Sequence, residues 1–92
     1  MSTISLRQSH NKTPEELRDL IRQLAIKLDD KYQLKSSWVN DDEVVVQRSG
    51  IKGRISLEPA EVRVEIKLGL MMGAFKSTIQ SEIARSMAEK LG

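Results

Sequence analysis

Cysteine is absent from this 92-residue sequence, and histidine, proline and aromatic residues are scarce. Without cysteine the chain forms neither disulfides nor thiolate metal sites, which agrees with a reducing cytoplasm. Its one histidine, His10, has no Asp, Glu or Cys at ligand spacing, so we expect an ordinary surface side chain and no metal site. The three aromatic residues fall at predicted core positions, so we expect no nucleic-acid partner.

Long apolar runs are also missing, and neither sign of charge predominates. No stretch approaches the roughly 20 apolar residues of a transmembrane helix, and residues 1–10 lack the apolar segment of a signal peptide. Lys and Arg total 15 against 13 for Asp and Glu, so the formal charge is +2 and the overall field toward phosphate or anionic lipid is weak. We therefore expect a cytoplasmic protein with no transmembrane segment.

One amphipathic helix is predicted over residues 13–32. Thr13 is a good N-cap, Pro14 suits the first helical position, and Glu16 lies where a capping box places its carboxylate. Apolar residues then recur at three- and four-residue steps as far as Tyr32. One face of this helix should therefore pack in a core, and the opposite face should contact water.

Strand-like alternation occurs before this helix and again after it. In residues 2–9, Ile4 and Leu6 lie on one side, and four further runs follow between residues 34 and 68. Clusters of Asn, Asp, Gly and Pro separate these runs and indicate antiparallel reversals. From these turns we predict the following cross-strand pairs: Trp38 with Val44, Val46 with Ile55, Leu57 with Val62, and Arg54 with Glu65.

A second helix is predicted over residues 74–91, because apolar side chains recur there at every fourth position. The order strand, helix, four strands, helix predicts an α+β fold, in which one antiparallel sheet of about five strands has both helices on one face. We expect a single domain over residues 1–92. The predicted core comprises Leu24, Leu28, Trp38, Val46, Ile55, Val64, Ile66, Phe75, Ile79 and Ile83.

Parts of the sequence resemble a known family. The most specific are Arg48-Ser49-Gly50 with Gly53, within "RSGIKGRISL", and the ending "LGLMMGAFKSTIQSEI". Over nearly its whole length the chain resembles the polyhydroxyalkanoic acid system proteins, small bacterial proteins whose genes lie near those for polyhydroxyalkanoate granule synthesis and maintenance. The resemblance implies a setting in the bacterial cytoplasm, at or near the granule surface. It supplies no catalytic or binding residue to transfer to this chain.

Polar clusters in the sequence predict no catalytic, cofactor or metal site. Asp29-Asp30 and residues 41–43 are acidic, but neither run has the alternating ligands and central glycine of a calcium loop. Residues 49–53 include two glycines among basic residues, yet they join two strands and do not open a helix as a phosphate loop does. We expect a helix end, a turn and a hairpin at these three places, and no cofactor.

The link between the last strand and the last helix has two interpretations. As a buried joint, Gly69 and Gly73 would permit unusual backbone angles while flexible methionines fill irregular space. As an interaction surface, it contains too many apolar side chains for all of them to point inward. The candidate interaction surface comprises Leu70, Met71, Met72 and Phe75.

Two functions from different classes fit the sequence. The first is a non-enzymatic accessory protein whose apolar surface contacts granule polymer, a granule-coat protein or a second copy of the chain in a homodimer. The second is a small carrier that holds an apolar ligand between the sheet and the final helix, as helix-grip proteins do. A chain of 92 residues with one filled core has little volume for such a ligand. No nucleophile, base and orienting group occur together, so we expect no enzymatic activity.

Overall fold

The computed structural model describes residues 2–92, and its elements follow the predicted order strand, helix, four strands, helix. The five strands are β1 (Ser2–Ser9), β2 (Lys35–Asn40), β3 (Glu43–Arg48), β4 (Ile51–Leu57) and β5 (Glu61–Leu68). The helices are α1 (Pro14–Tyr32), a short 3-10 helix (Leu70–Phe75) and α2 (Lys76–Leu91). The strands form one antiparallel sheet in the order β1-β5-β4-β3-β2, which confirms the predicted α+β fold.

Helix α1 begins with the predicted capping box. The Glu16 N–H donates to Thr13 Oγ1 at 3.2 Å, and the Thr13 N–H donates to Glu16 Oε1 at the same distance. The helix ends before Gln33, which has a left-handed φ of 60° and donates its N–H to the Asp29 carbonyl at 2.8 Å. The residues of α1 that pack in the core are Leu17, Ile21, Leu24, Ala25 and Leu28.

One face of the sheet is buried and the other is open to solvent. In β5, Val62, Val64, Ile66 and Leu68 are buried, whereas Arg63, Glu65 and Lys67 between them are exposed. Strand β1 pairs with the outer edge of β5 and adds Ile4, opposite Ile66, to the buried face. The sequence did not predict where β1 lies in the sheet.

Three of the predicted cross-strand pairs are confirmed, namely Trp38 with Val44, Leu57 with Val62, and Arg54 with Glu65. The fourth is wrong, because Val46 pairs with Gly53, and Val44 is the partner of Ile55. The error arises at the reversal, since β3 extends to Arg48 and only Ser49-Gly50 separates it from β4. A shift of two residues keeps every side chain on its predicted face, so the core is unaffected.

Eight predicted core residues are buried: Leu24, Leu28, Val46, Ile55, Val64, Ile66, Ile79 and Ile83. Trp38 is half-buried, because β2 is an edge strand of the sheet. Phe75 is exposed, so its assignment to the core is wrong. Residues 70–75 form a 3-10 helix and α2 begins only at Lys76, so the four-residue stripe of α2 does not continue back to Phe75.

Candidate interaction surface

One main-chain hydrogen bond ties the link between β5 and α2 to the turn between β3 and β4, and a second lies within the link. The Gly69 N–H donates to the Gly50 carbonyl at 2.8 Å, and the Met72 N–H donates to the Gly69 carbonyl at 3.0 Å. Gly50 has a φ of +85°, a conformation that residues with a Cβ adopt at a cost. The link is therefore held in one place on the end of the sheet.

Met72 is the residue of this link that faces the protein. Its side chain is half-buried and packs against the core. Its Cγ lies so close to Gly50 that a Cβ at that glycine would be only 2.7 Å away. For Met72, the interpretation of the link as a structural joint is thus correct.

The other three residues of the predicted surface face outward. Leu70 is 86% exposed, Met71 is 91% exposed and Phe75 is 42% exposed. We call Leu70, Met71 and Phe75 the apolar tip. The two sequence-based interpretations therefore apply to different residues, with Met72 in the joint and the apolar tip in solvent.

Basic side chains lie at the strand ends next to the link and at the start of α2. Lys52 and Lys67 are exposed cross-strand partners on the open face of the sheet. Arg48, Lys52 and Lys67 line one open hollow of about 540 Å³, together with Gly50 of the β3–β4 turn. Arg48 is half-buried, and its guanidinium donates to the Tyr32 carbonyl at 2.8 Å. Lys76 follows Phe75 directly in the chain. We call Arg48, Lys52, Lys67 and Lys76 the basic rim.

A buried glutamate between the two helices is a feature that the sequence reading missed. The Glu82 side chain is only 4% exposed and pairs with Lys31 Nζ at 2.6 Å and Lys27 Nζ at 3.5 Å. Arg85 also donates to it from one turn further along α2. The hydrogen bond from Lys31, opposed by burial and reinforced by Arg85, lowers the pKa of Glu82 from 4.5 to about 2.

This cluster joins α1 to α2 and offers no site for an external group. Glu82 and Ser86 lie on the same face of α2 as Ile79 and Ile83, so their spacing was a usable signal for inward positions. Lys27 Nζ donates to Ser86 Oγ at 3.3 Å, which adds a second polar contact between the helices. The buried charge is thus balanced by protein groups.

His10 is more enclosed than the sequence predicted. Its ring is half-buried, and the Lys12 N–H donates to Nδ1 at 3.1 Å. With Nδ1 as acceptor, Nε2 is the nitrogen that donates to the Glu58 carbonyl at 2.7 Å. His10 is thus a half-buried residue with structural partners that the prediction of an ordinary surface histidine did not include, since its ring links the segment before α1 to the turn between β4 and β5.

The other polar clusters adopt the expected structural roles. Asp29, near the end of α1, pairs with Lys35 at 2.9 Å, and the Asp42 N–H closes a turn by donating to Asn40 Oδ1 at 2.8 Å. Ser49-Gly50 is the two-residue turn of a hairpin. Residues 2–92 contain no group of three or more His, Cys, Asp or Glu side chains placed to hold a metal ion.

The interior between the helices has almost no free volume. A cavity of about 10 Å³ there contacts Leu20, Leu24, Met87 and other core residues. Pockets for small ligands usually measure about 300–1,000 Å³. The contact between α1 and α2 therefore leaves no room for a ligand between the helices, while the alternative function of a carrier with an apolar ligand between the sheet and the final helix stays a prediction.

Residues 4–91 match the family described as "Putative polyhydroxyalkanoic acid system protein". The chain belongs to this family. The match covers nearly the whole sequence, so the resemblance found in the β3–β4 hairpin and in the segment from Leu68 to Ile79 is confirmed. No curated protein matches the chain significantly. In this member of the polyhydroxyalkanoic acid system family, no helix of the described residues is long and apolar enough to cross a bilayer.

A solved structure with a similar fold is the NMR structure of PA4090 from Pseudomonas aeruginosa. The similarity has a TM-score of 0.55 and covers 92% of this chain and 83% of the other. Sequence identity is only 6%, so the comparison shows a shared fold and nothing about a shared activity.

Proposed function

We propose that this member of the polyhydroxyalkanoic acid system family is a non-enzymatic accessory protein that attaches to the granule surface in the cytoplasm through its apolar tip. The main support is the exposure of Leu70 and Met71, two adjacent large apolar side chains on a link fixed to the sheet by backbone hydrogen bonds. Contiguous exposed apolar residues are typical of surfaces that contact a partner. The family name supplies the granule as the setting.

The main-chain hydrogen bonds of the link support this role. A mobile loop would lose conformational entropy on docking, whereas the bonds from Gly69 and Met72 already fix the backbone that presents the tip. Met72 anchors the link on its inner side and leaves Met71 free on its outer side. The joint therefore presents the apolar tip without first having to fold.

Cell fractionation tests this proposal. A tagged protein is expressed in bacteria with and without polyhydroxyalkanoate granules, and its share in the granule fraction is measured. We expect the parent to accompany granules and a Leu70→Gln/Met71→Gln variant to remain in the supernatant. The proposal fails if the parent is absent from the granule fraction, or if the variant sediments with granules as well as the parent does.

A matched control is available at two other exposed apolar positions. Ile26 on α1 is 56% exposed and Val39 on β2 is 61% exposed. An Ile26→Gln/Val39→Gln variant removes similar apolar surface far from the link, and we expect it to fractionate like the parent. Equal losses in both double variants would indicate a general effect of hydrophobicity, and the tip would lose its special role.

A further inference from the structure

We propose that the apolar tip and the basic rim together dock on an anionic phospholipid surface. The inference rests on the proposed attachment through the tip and specifies the chemistry of its partner. The formal charge of +2 gives no reason to expect such a partner. The arrangement of charged side chains around the apolar tip gives a reason to expect it.

No member of the basic rim forms an ion pair with a carboxylate in the part of the chain that the structure describes. One carboxylate, that of Glu65, lines an open hollow of the sheet face together with Lys52 and Lys67, but it forms an ion pair with neither lysine. In contrast, Arg54 and Arg63, on the same face of the sheet, pair with Glu43 and Glu61 at 2.7 and 2.8 Å. Positive charge therefore exceeds negative charge at the end of the sheet where the link lies.

Lys52 and Lys67 are the most informative members of the rim. They lie directly opposite each other on adjacent strands, an arrangement of like charges that is unfavourable in the isolated protein. The next pair on this face, Arg54 with Glu65, has opposite charges. A bound anionic surface would relieve the repulsion between the two lysines.

An anionic lipid surface fits both chemical parts of this region. Apolar side chains enter the boundary between headgroups and acyl chains, while Lys and Arg beside them remain at the level of the phosphates. The apolar tip supplies the side chains that enter this boundary, and the basic rim supplies those that remain at the level of the phosphates. A neutral polymer surface would use the tip alone and would give the rim no partner.

A second copy of the chain fits this surface less well. Stable interfaces usually involve about 20–30 residues on each side, whereas the tip comprises three apolar side chains. In a two-fold symmetric contact the same patch is used by both subunits, so the interface would contain Lys52 and Lys67 twice and bring two sets of positive charge together. The charge of the rim thus favours lipid over self-association.

Vesicle sedimentation tests the inference. The probes are vesicles of phosphatidylcholine alone and vesicles in which phosphatidylglycerol is added. We expect the parent to bind the anionic vesicles much more tightly, with binding that weakens as salt is raised. A Lys52→Gln/Lys67→Gln variant should bind the anionic vesicles roughly tenfold or more weakly. Leu70→Gln/Met71→Gln should also lower this binding.

The matched control removes two positive charges near the start of α1. Lys12 and Arg18 belong to no ion pair among residues 2–92, so Lys12→Gln/Arg18→Gln changes net charge by the same amount. We expect this variant to bind like the parent. The inference is overturned if the control loses as much affinity as the rim variant, if neutral and anionic vesicles bind equally, or if neither binds.

Two further results separate this inference from the proposed function. Tip-dependent recovery of the protein with granules, without binding to anionic vesicles, would overturn the lipid inference and leave the proposed function standing. Binding to anionic vesicles without recovery in the granule fraction would overturn the proposed function and leave the lipid inference standing. A homodimer in sedimentation velocity that the tip substitutions dissociate would assign the surface to a second copy and overturn the inference.

Discussion

The Cγ atom of Met72 occupies the space in which a side chain at Gly50 would have to lie. The β3–β4 turn and the link before α2 are consequently packed against each other at Gly50. Gly50 also has a φ of +85° and accepts the hydrogen bond from the Gly69 N–H. The position requires glycine for its backbone conformation and for the space that the methionine fills.

Substituting Gly50 should therefore be costly. We expect Gly50→Ala to lower the free energy of unfolding by about 1–3 kcal/mol, since both the positive φ and the contact with Met72 oppose a Cβ. Gly73→Ala is the control, because the nearest atom to a Cβ there is Ser2 Oγ at 3.9 Å. Urea unfolding of the two variants measures the difference. Equal stability would show that the joint tolerates a side chain at Gly50.

The two adjacent methionines should respond oppositely to the same substitution. Met71→Gln should leave stability almost unchanged, because its side chain already contacts water. Met72→Gln should destabilise the fold by about 1–3 kcal/mol, because it places an amide against the core without a partner. Thermal melts of both variants check this contrast. A large loss for Met71→Gln would mean that the tip is not exposed in solution.

Ile66 lies at the centre of the buried face of the sheet. We expect Ile66→Ala to cost about 2–5 kcal/mol, because it leaves a cavity beneath both helices. Ile26→Ala, at an exposed apolar position on α1, should change stability by no more than about 0.5 kcal/mol. Denaturant titration gives both values. Similar costs for the two substitutions would contradict the assigned facing of β5.

A second substitution refines this test. A Cβ at Gly53 would lie only 2.6 Å from Ile66 Cγ1, so Gly53→Ala should be destabilising in the parent. Truncating Ile66 to Ala removes that atom, whereas the Glu65 carbonyl oxygen at 3.0 Å and Ile66 Cβ at 3.2 Å remain, so the crowding is relieved in part. The cost of Gly53→Ala should therefore be smaller in the Ile66→Ala background, as a double-mutant cycle would measure. Strict additivity would mean that the two side chains do not compete for space.

Glu82 should make the fold sensitive to acid. Its pKa is lowered from 4.5 to about 2 in the folded protein, so the ion pairs with Lys31 and its neighbours stabilise the fold fully above about pH 4.5. That stabilisation should decline as pH falls toward 2, because protonation removes the charge that the folded state prefers. Unfolding measured across this range should show a smaller decline for Glu82→Gln than for the parent. Glu89→Gln, on the exposed side of α2, should follow the parent, and three identical profiles would contradict the prediction.

The sequence predicted the elements of this fold better than it predicted the joints between them. The capping box from Thr13 to Glu16 and the strict alternation of β5 depend on neighbouring residues, so local pattern was sufficient. The pairing of Val46 depended on the length of one turn, which composition did not fix. Gly50 and Gly53 both suggested a reversal, and only the first lies in it.

The candidate surface was predicted only in part, because it too depends on how separate segments of the chain meet. Crowding between Gly69 and Gly73 correctly indicated that some apolar side chains would be exposed. It could not separate Met72 from the exposed residues, and it placed Phe75 both in the core and on the surface, because these positions depend on the pitch of the 3-10 helix and on contact with Gly50. Glu82 was missed because its partners Lys27 and Lys31 lie on the other helix, more than 50 residues away.

Strand β1 differs from the other strands because β5, with which it pairs, lies far from it in the sequence. Its paired residues are 52 to 66 positions apart, from Ser9 with Glu61 to Ser2 with Leu68, whereas β2 to β5 follow one another through short turns. Long loops cost more entropy to close, so we expect β1 to pair last during folding. Pulsed hydrogen exchange should find its amides protected after those of β3 and β4, and simultaneous protection would contradict this order. Until β1 has paired with β5, the outer edge of β5 has unpaired main-chain donors and acceptors that any extended chain can bind. Pairing with the β1 strand of a second copy therefore competes with pairing within the monomer.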